Sequence, residues 1–138
     1  ELAGRAENHD LSKTINPEHD IYAKFTPLLQ GLKYQSKEYK DAVNSPEFKF
    51  ATDHHDRLNS HHPEYYEDGI DGMDLVDLIE MLCDWKAASE RHKNAPWSEG
   101  FTKNCERFGI SPQLTRILSN TIDRYIMPNK KGVDSNDK

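Results

Sequence analysis

Histidines and aspartates recur along the chain in an order that would let several of them share one cation. His9 and Asp10 are adjacent, four histidines fall within residues 54–62, and Asp84 follows downstream. Imidazole nitrogens mixed with carboxylate oxygens suit Mn, Fe, Co, Ni or Zn better than Mg or Ca. The sequence therefore predicts a site for one or two divalent transition-metal ions, with these ligands: His9, Asp10, His55, His62 and Asp84.

The helix expected around the second histidine cluster explains how these side chains reach a pocket. Ser45, followed by Pro46, is a strong N-terminal signal for a helix that runs to about residue 60. Ala51 and His55 share one face of it, so His55 points toward the core. Residues 61 and 62, both histidines, lie where this helix gives way to a loop, and both imidazoles can turn inward there.

Each candidate ligand also has a purely structural interpretation. His55 alone fits a hydrogen-bonded core histidine, Asp84 a surface carboxylate, and Asp10 a capping residue. Lys13 fits a solvated lysine at a helix end. The joint pattern favours a metal site, because the structural interpretation needs several separate coincidences.

Composition limits the classes of protein that the chain can represent. With 138 residues, 35% hydrophobic and 30% charged, it has the size and character of one soluble domain, and no apolar run is long enough to span a bilayer. The net charge of −6 argues against nucleic acid as a partner. Cys83 and Cys105 lack Cys-x-x-Cys spacing, which indicates core packing in a reducing cytoplasm.

Apolar periodicity and capping signals predict an all-α fold, a compact bundle of about six to seven helices. We expect helices through about residue 13 and over 20–34, 36–43, 46–60, 74–92, 97–109 and 112–126, with an acidic loop at 61–73. The first of these is expected to carry His9 and Asp10. Residues 1–127 form the predicted domain, and the polar tail 128–138 is expected to be disordered.

Three motifs carry a resemblance to a known superfamily. They are residues 9–13 (HDLSK), 59–66 (NSHHPEYY) and 80–85 (EMLCDW). The first resembles the His-Asp signature of the HD-domain superfamily, which is all-helical and has the pattern H…HD…D. Together the three resemble an uncharacterised bacterial and phage family of HD-like proteins, and the resemblance covers residues 1–97.

This resemblance implies roles for particular residues. His9 and Asp10 would be ligands, with Asp10 able to bridge two ions, and Asp84 would be the distal aspartate. His55 and His61 or His62 would match the additional histidines of binuclear members. HD proteins have a further histidine on a helix before the HD pair, and no histidine precedes His9 here. Two alternatives stay open: that ligand lies in an upstream segment, or the site is incomplete and the polypeptide inactive.

The leading functional hypothesis is metal-assisted hydrolysis of a small phosphorylated substrate, with nucleotides among the candidates. Lys13 would hold a phosphate oxygen, and His61, His62 or Glu64 would protonate the leaving oxygen. Arg5, Lys24, Lys86 and Arg91 are further candidates for substrate contact. Two alternatives stay open: a diiron oxygenase of the HD type, and a non-catalytic module that binds a nucleotide or inhibits a host factor. The sequence does not predict the oligomeric state.

Overall fold

The fold is an all-α arrangement of seven α-helices, as the sequence predicts. The computed structural model describes residues 1–91 and 96–126, and no strand occurs within those ranges. The helices are α1 (Leu2–Asn8), α2 (Glu18–Gln30), α3 (Lys37–Val43), α4 (Pro46–Leu58), α5 (Leu75–Glu90), α6 (Trp97–Arg107) and α7 (Pro112–Thr121). The expected tail 128–138 lies outside the described residues, so that prediction stays a prediction.

Short side-chain caps fix where most of these helices begin. Ser45 and Ser111 each accept a hydrogen bond from the backbone N–H of the third residue of the helix that follows. Asp74 forms a reciprocal capping box with Asp77 at the start of α5. These three starts were predicted from the sequence, because a cap depends only on residues within one turn.

Helix α6 ends at a glycine that redirects the chain toward α7. Gly109 has a positive φ of 62°, where a side chain would be strained. Its N–H bonds to the carbonyl of Glu106, and the N–H of Ile110 bonds to that of Cys105, which completes a Schellman motif. The chain therefore turns sharply into α7.

The connections also contain tighter helical turns that the sequence did not predict. The expected loop at 61–73 holds two 3-10 turns, Pro63–Tyr65 and Gly69–Gly72, and a third turn, Leu11–Thr14, follows α1. A wider, π-type turn, Ile122–Ile126, continues α7.

The apolar core lies in the C-terminal part of the chain. Its buried members come from α5, from α6 and the link that follows it, and from α7 and the π turn: Leu78, Met81, Leu82, Cys105, Ile110, Leu118 and Ile122. Four large hydrophobic residues of α5, α7 and the π turn are exposed although their helices contribute to the core: Leu75, Ile79, Ile117 and Tyr125. Cys83 is exposed too, whereas Cys105 is buried, so the predicted core role holds for one cysteine. Periodicity identifies a face but not how much of it a neighbouring helix covers.

Helix α1 is attached by ion pairs rather than by apolar contacts, since none of its residues is buried. Arg5 donates from Nη1 to Asp77 Oδ1 at 2.7 Å, to Glu80 Oε2 at 3.1 Å and to Ser60 Oγ at 2.7 Å. Asp77 is fully buried and also accepts from Tyr66 Oη at 2.6 Å. Arg5, a predicted substrate contact, therefore joins α1 to α5.

Candidate metal centre

The segment that carries His9 and Asp10 is not helical, contrary to the sequence prediction. Helix α1 ends at Asn8, His9 is its C-cap, and Asp10 adopts a left-handed conformation with φ 58° and ψ 22°. Aspartate tolerates this conformation better than most residues do. The reversal in backbone direction after α1 brings the Asp10 carboxylate against α4, where it contacts His55.

The Asp10 carboxylate lies between two sets of side chains. Its Oδ1 is 3.2 Å from His55 Nε2 and 3.5 Å from His61 Nε2. Its Oδ2 is 2.6 Å from Lys13 Nζ and 3.4 Å from His9 Nε2. Asp10 thus presents one oxygen to the histidines of α4 and the following loop, and the other oxygen toward His9.

Four residues form what we call the inner group: Asp10, His55, His61 and His62. Each offers a nitrogen or oxygen ligand atom, and all four atoms lie within 4.8 Å of one another. Three buried atoms of this group, Asp10 Oδ1, His61 Nε2 and His62 Nε2, have no hydrogen-bond partner among the described residues. Buried polar atoms are rarely left unpaired, so their convergence fits a cation bound between them.

A carboxylate backs each histidine of the inner group. The three pairs, Nδ1 to carboxylate oxygen, are His55 to Glu18 at 2.9 Å, His61 to Glu80 at 3.1 Å and His62 to Asp56 at 3.3 Å. When Nδ1–H donates to a carboxylate, the Nε2 lone pair is directed away from it, which is the arrangement that metal-binding histidines usually show. All three rings therefore have the orientation that a metal ion requires, and with the proton on Nδ1 they would also have the matching tautomer.

A second set, the outer group, consists of His9, Asp10 and Asp84. His9 Nε2 is 3.4 Å from both Asp84 Oδ1 and Asp10 Oδ2. His9 Nδ1 lies 2.8 Å from Glu80 Oε1, so this histidine is backed by a carboxylate as well. Because Asp10 belongs to both groups, the arrangement has room for one ion or for two that share its carboxylate.

Charges near the inner group favour the metal-binding form of two ligands and oppose it at a third. Burial opposes the ionisation of Asp10, but its contacts with His55, His61 and Lys13 outweigh burial and hold its pKa far below the usual range. Burial, with the neighbouring imidazoles, lowers the pKa of His62 to about 3. An ionised carboxylate and a neutral imidazole are the forms that bind metals. Burial opposes the protonation of His55, but its contacts with Asp10 and Glu18 raise its pKa, so a metal ion at this ring would have to displace a proton.

The structure places the expected catalytic residues in three different settings. Lys13 is half-exposed and donates to Asp10. His61, expected as a proton donor, is buried within the inner group. Glu64 accepts from Arg107 at 2.9 Å, and its carboxylate approaches His62 and Asp56 rather than Asp10.

The other predicted cationic contacts do not converge on the site in this structure. Lys24 pairs with Glu47, and Lys86 pairs with Glu90. Arg91 is the exposed C-cap of α5.

Sequence reasoning missed the three carboxylates that back the histidines: Glu18, Asp56 and Glu80. Glu80 had one detectable signal, because it lies one helical turn before Asp84 on the same face of α5. Glu18 looks like an ordinary first-turn acid of α2, yet it is fully buried.

None of the described helices is both long and apolar enough to cross a membrane.

Comparison with known proteins identifies a family, but one whose function is unknown. Searches of the curated proteins and of the solved structures each found no match. A family model matches residues 1–124, nearly the whole chain, and the protein thereby belongs to a family of unknown function (DUF5662).

Proposed function

We propose that this protein is a metal-dependent phosphohydrolase that acts on a small phosphate ester or a nucleotide. The observation that carries the proposal is the inner group, in which three carboxylate-backed histidines and Asp10 direct unpaired buried atoms toward one another. Three nitrogens and one carboxylate oxygen suit Zn, Mn, Fe, Co or Ni. Such an ion supplies Lewis acidity and lowers the pKa of a bound water toward about 7.

The charge around the site favours cations and explains why the reaction would depend on metal. Five carboxylates belong to the two groups or back their histidines: Asp10, Glu18, Asp56, Glu80 and Asp84. Among the described lysines and arginines, Lys13 and Arg5 are in direct contact with them. An anionic phosphate would be repelled by this excess of negative charge, and bound divalent ions would reverse the repulsion.

The partly exposed residues indicate where the substrate would approach. The side chains of His9 and Lys13 are 30% and 37% exposed, whereas that of His61 is 2% exposed. We therefore assign Lys13 to the phosphate, where its ammonium can bind a phosphoryl oxygen. His61 we assign to metal binding, because both of its ring nitrogens face the interior of the site.

The HD-type motif gives independent support to the proposal. Asp10 contributes one oxygen to each group, as expected of the aspartate that bridges two ions in the superfamily that the sequence resembles. Free cysteines, one of them exposed, agree with a reducing compartment, and we propose the cytoplasm.

Metal content and hydrolysis test the proposal together. Elemental analysis of the purified chain should find at least one transition-metal ion per molecule. The loaded protein should hydrolyse p-nitrophenyl phosphate, its bis ester or members of a nucleotide panel, and chelation should abolish turnover. A protein that takes up no Mn²⁺, Co²⁺, Fe²⁺, Ni²⁺ or Zn²⁺ would refute the proposal.

A diiron oxygenase is the second candidate, and the shared carboxylate of Asp10 is the observation that favours it. Aerobic spectroscopy of an iron-loaded sample separates the two functions. An oxygen-dependent charge-transfer band without phosphatase activity would favour the oxygenase.

A further inference from the structure

Glu80 on α5 stands out because one of its oxygens contacts two histidines that belong to different groups. Oε1 lies 2.8 Å from His9 Nδ1 and 3.1 Å from His61 Nδ1. Its other oxygen, Oε2, accepts from Arg5 at 3.1 Å. The carboxylate is mostly buried, with 11% of the side chain exposed, so water cannot easily replace these partners.

The other two backing carboxylates each serve the inner group alone. Asp56 pairs with His62. Glu18 pairs with His55, and its second histidine partner, His54, belongs to neither group. Among the described residues, Glu80 is therefore the carboxylate that backs a histidine of the outer group and one of the inner group at once.

We propose that Glu80 is a positioning residue that prepares both metal positions together, an inference that rests on the proposed two-group metal site. By accepting both Nδ1–H groups, it fixes the tautomer and the rotation of His9 and His61, so that each Nε2 faces its own group. The centroids of the two rings are 4.5 Å apart, so a rotation of one ring would also move the other. Arg5 holds the carboxylate from the opposite side.

Removal of Glu80 should therefore weaken two metal positions, whereas removal of Asp56 should weaken one. The probe is Co²⁺ alone, measured by equilibrium dialysis with elemental analysis and by the visible absorption of each bound ion. We expect Glu80→Ala to raise the dissociation constants of both Co²⁺ ions by about 10–100-fold, the usual effect of losing such a partner. Asp56→Ala, the matched control on α4, should raise one of the two dissociation constants by a similar factor and leave the other unchanged.

A conservative variant separates positioning from a general loss of structure. Glu80→Gln keeps an oxygen that can accept from the histidines, so it should retain Co²⁺ more tightly than Glu80→Ala. Circular dichroism of both variants reports whether the helices persist.

The outcomes distinguish this inference from the proposed function. If Glu80→Ala, with its helices intact, loses affinity at one position only, Glu80 does not serve both and the inference is overturned. A wild-type chain that binds a single Co²⁺ also overturns it, while the metal-dependent hydrolase survives. A wild-type chain that binds none removes both.

Discussion

The N-terminal half of the molecule, residues 1–66, and the C-terminal half, residues 75–126, are packed by different forces. Within the described chain, the buried residues of the N-terminal half are Glu18, Phe25, Ala51, His55, His61 and Pro63. Those of the C-terminal half are apolar apart from Asp77: Leu78, Met81, Leu82, Cys105, Ile110, Leu118 and Ile122. One half encloses ionisable groups, and the other encloses a continuous apolar cluster.

This difference teaches which half supplies most of the apolar stability and which supplies the inner group, although α5 of the C-terminal half also contributes Glu80 and Asp84 to the site. Apolar burial is favourable whatever the ligand state, so the C-terminal half can act as a scaffold. Buried carboxylates and imidazoles are favourable only when each is paired, and three atoms of the inner group are not. The N-terminal half should therefore depend on a bound ion, whereas the C-terminal half should not.

The largest effect is expected from Asp10→Asn, which removes the charge shared by the two groups while keeping a residue that tolerates the left-handed backbone. The loss of metal should cost several kcal/mol of transition-state stabilisation, so hydrolysis should fall by about 1,000-fold or more. Metal-dependent turnover of p-nitrophenyl phosphate measures it. Asp41→Asn, an exposed change on α3, should keep wild-type turnover, and an active Asp10→Asn would contradict the metal site.

A cavity in the apolar half should affect stability without affecting the site. Leu118 on α7 is 3% exposed, and Leu118→Ala should lower the free energy of unfolding by about 3 kcal/mol. Its neighbour Ile117 is 52% exposed, so Ile117→Ala should change stability by less than about 0.5 kcal/mol. Urea unfolding measures both, and Co²⁺ affinity of the folded Leu118→Ala chain should equal that of the wild type. A weaker affinity would mean that the halves are coupled.

Metal binding should stabilise the N-terminal half more than the C-terminal half. At a free Co²⁺ concentration about 100 times the dissociation constant, Co²⁺ binding should raise the free energy of unfolding by about 2.7 kcal/mol. Hydrogen exchange should slow most for amides of α4 and the turn Leu11–Thr14, and least for those of α7. Equal slowing in all three would show that the molecule opens as one unit, and the proposed division of labour would then be wrong.

The smallest effect is a pH dependence of the free energy of unfolding, caused by Asp77, the charged residue that is buried among the described residues of the C-terminal half. Burial opposes ionisation of Asp77, but hydrogen bonds from Tyr66, Ser60 and Arg5 lower its pKa. Its carboxylate therefore stabilises the fold above its unfolded pKa of about 3.9, and this contribution is lost as pH falls through the lower folded pKa.

In the variant Asp77→Asn, the side chain at position 77 is a neutral amide that does not titrate. The gap in unfolding free energy between wild type and Asp77→Asn should narrow below about pH 4, by at most about 1.4 kcal/mol per pH unit. Urea unfolding across a pH series measures the gap. Asp71→Asn, at an exposed position, should show no such narrowing, and a constant gap for Asp77→Asn would show that the carboxylate gains nothing from its partners.

Local rules predicted much of the fold but not the path of the chain at His9 and Asp10. The starts at Ser45, Asp74 and Ser111 follow from side chains that bond within one turn. No such local signal marks the left-handed Asp10, where α1 stops and the backbone changes direction. Apolar periodicity also cannot tell which hydrophobic residues a neighbouring element covers, since Leu75 and Ile117 are exposed although Leu78 and Leu118 are buried.

The sequence by itself determined the helical class, the main helix starts and the residue types of the site, because these depend on composition, short-range caps and periodicity. The tertiary structure decided which side chains meet: Glu18 with His55, 37 residues away, and Glu80 with His9, 71 residues away. Such pairs carry no local signal, since a hydrogen bond between distant residues depends on how helices pack. The same packing makes Asp10 common to both groups and His61 a buried ligand candidate rather than an exposed acid.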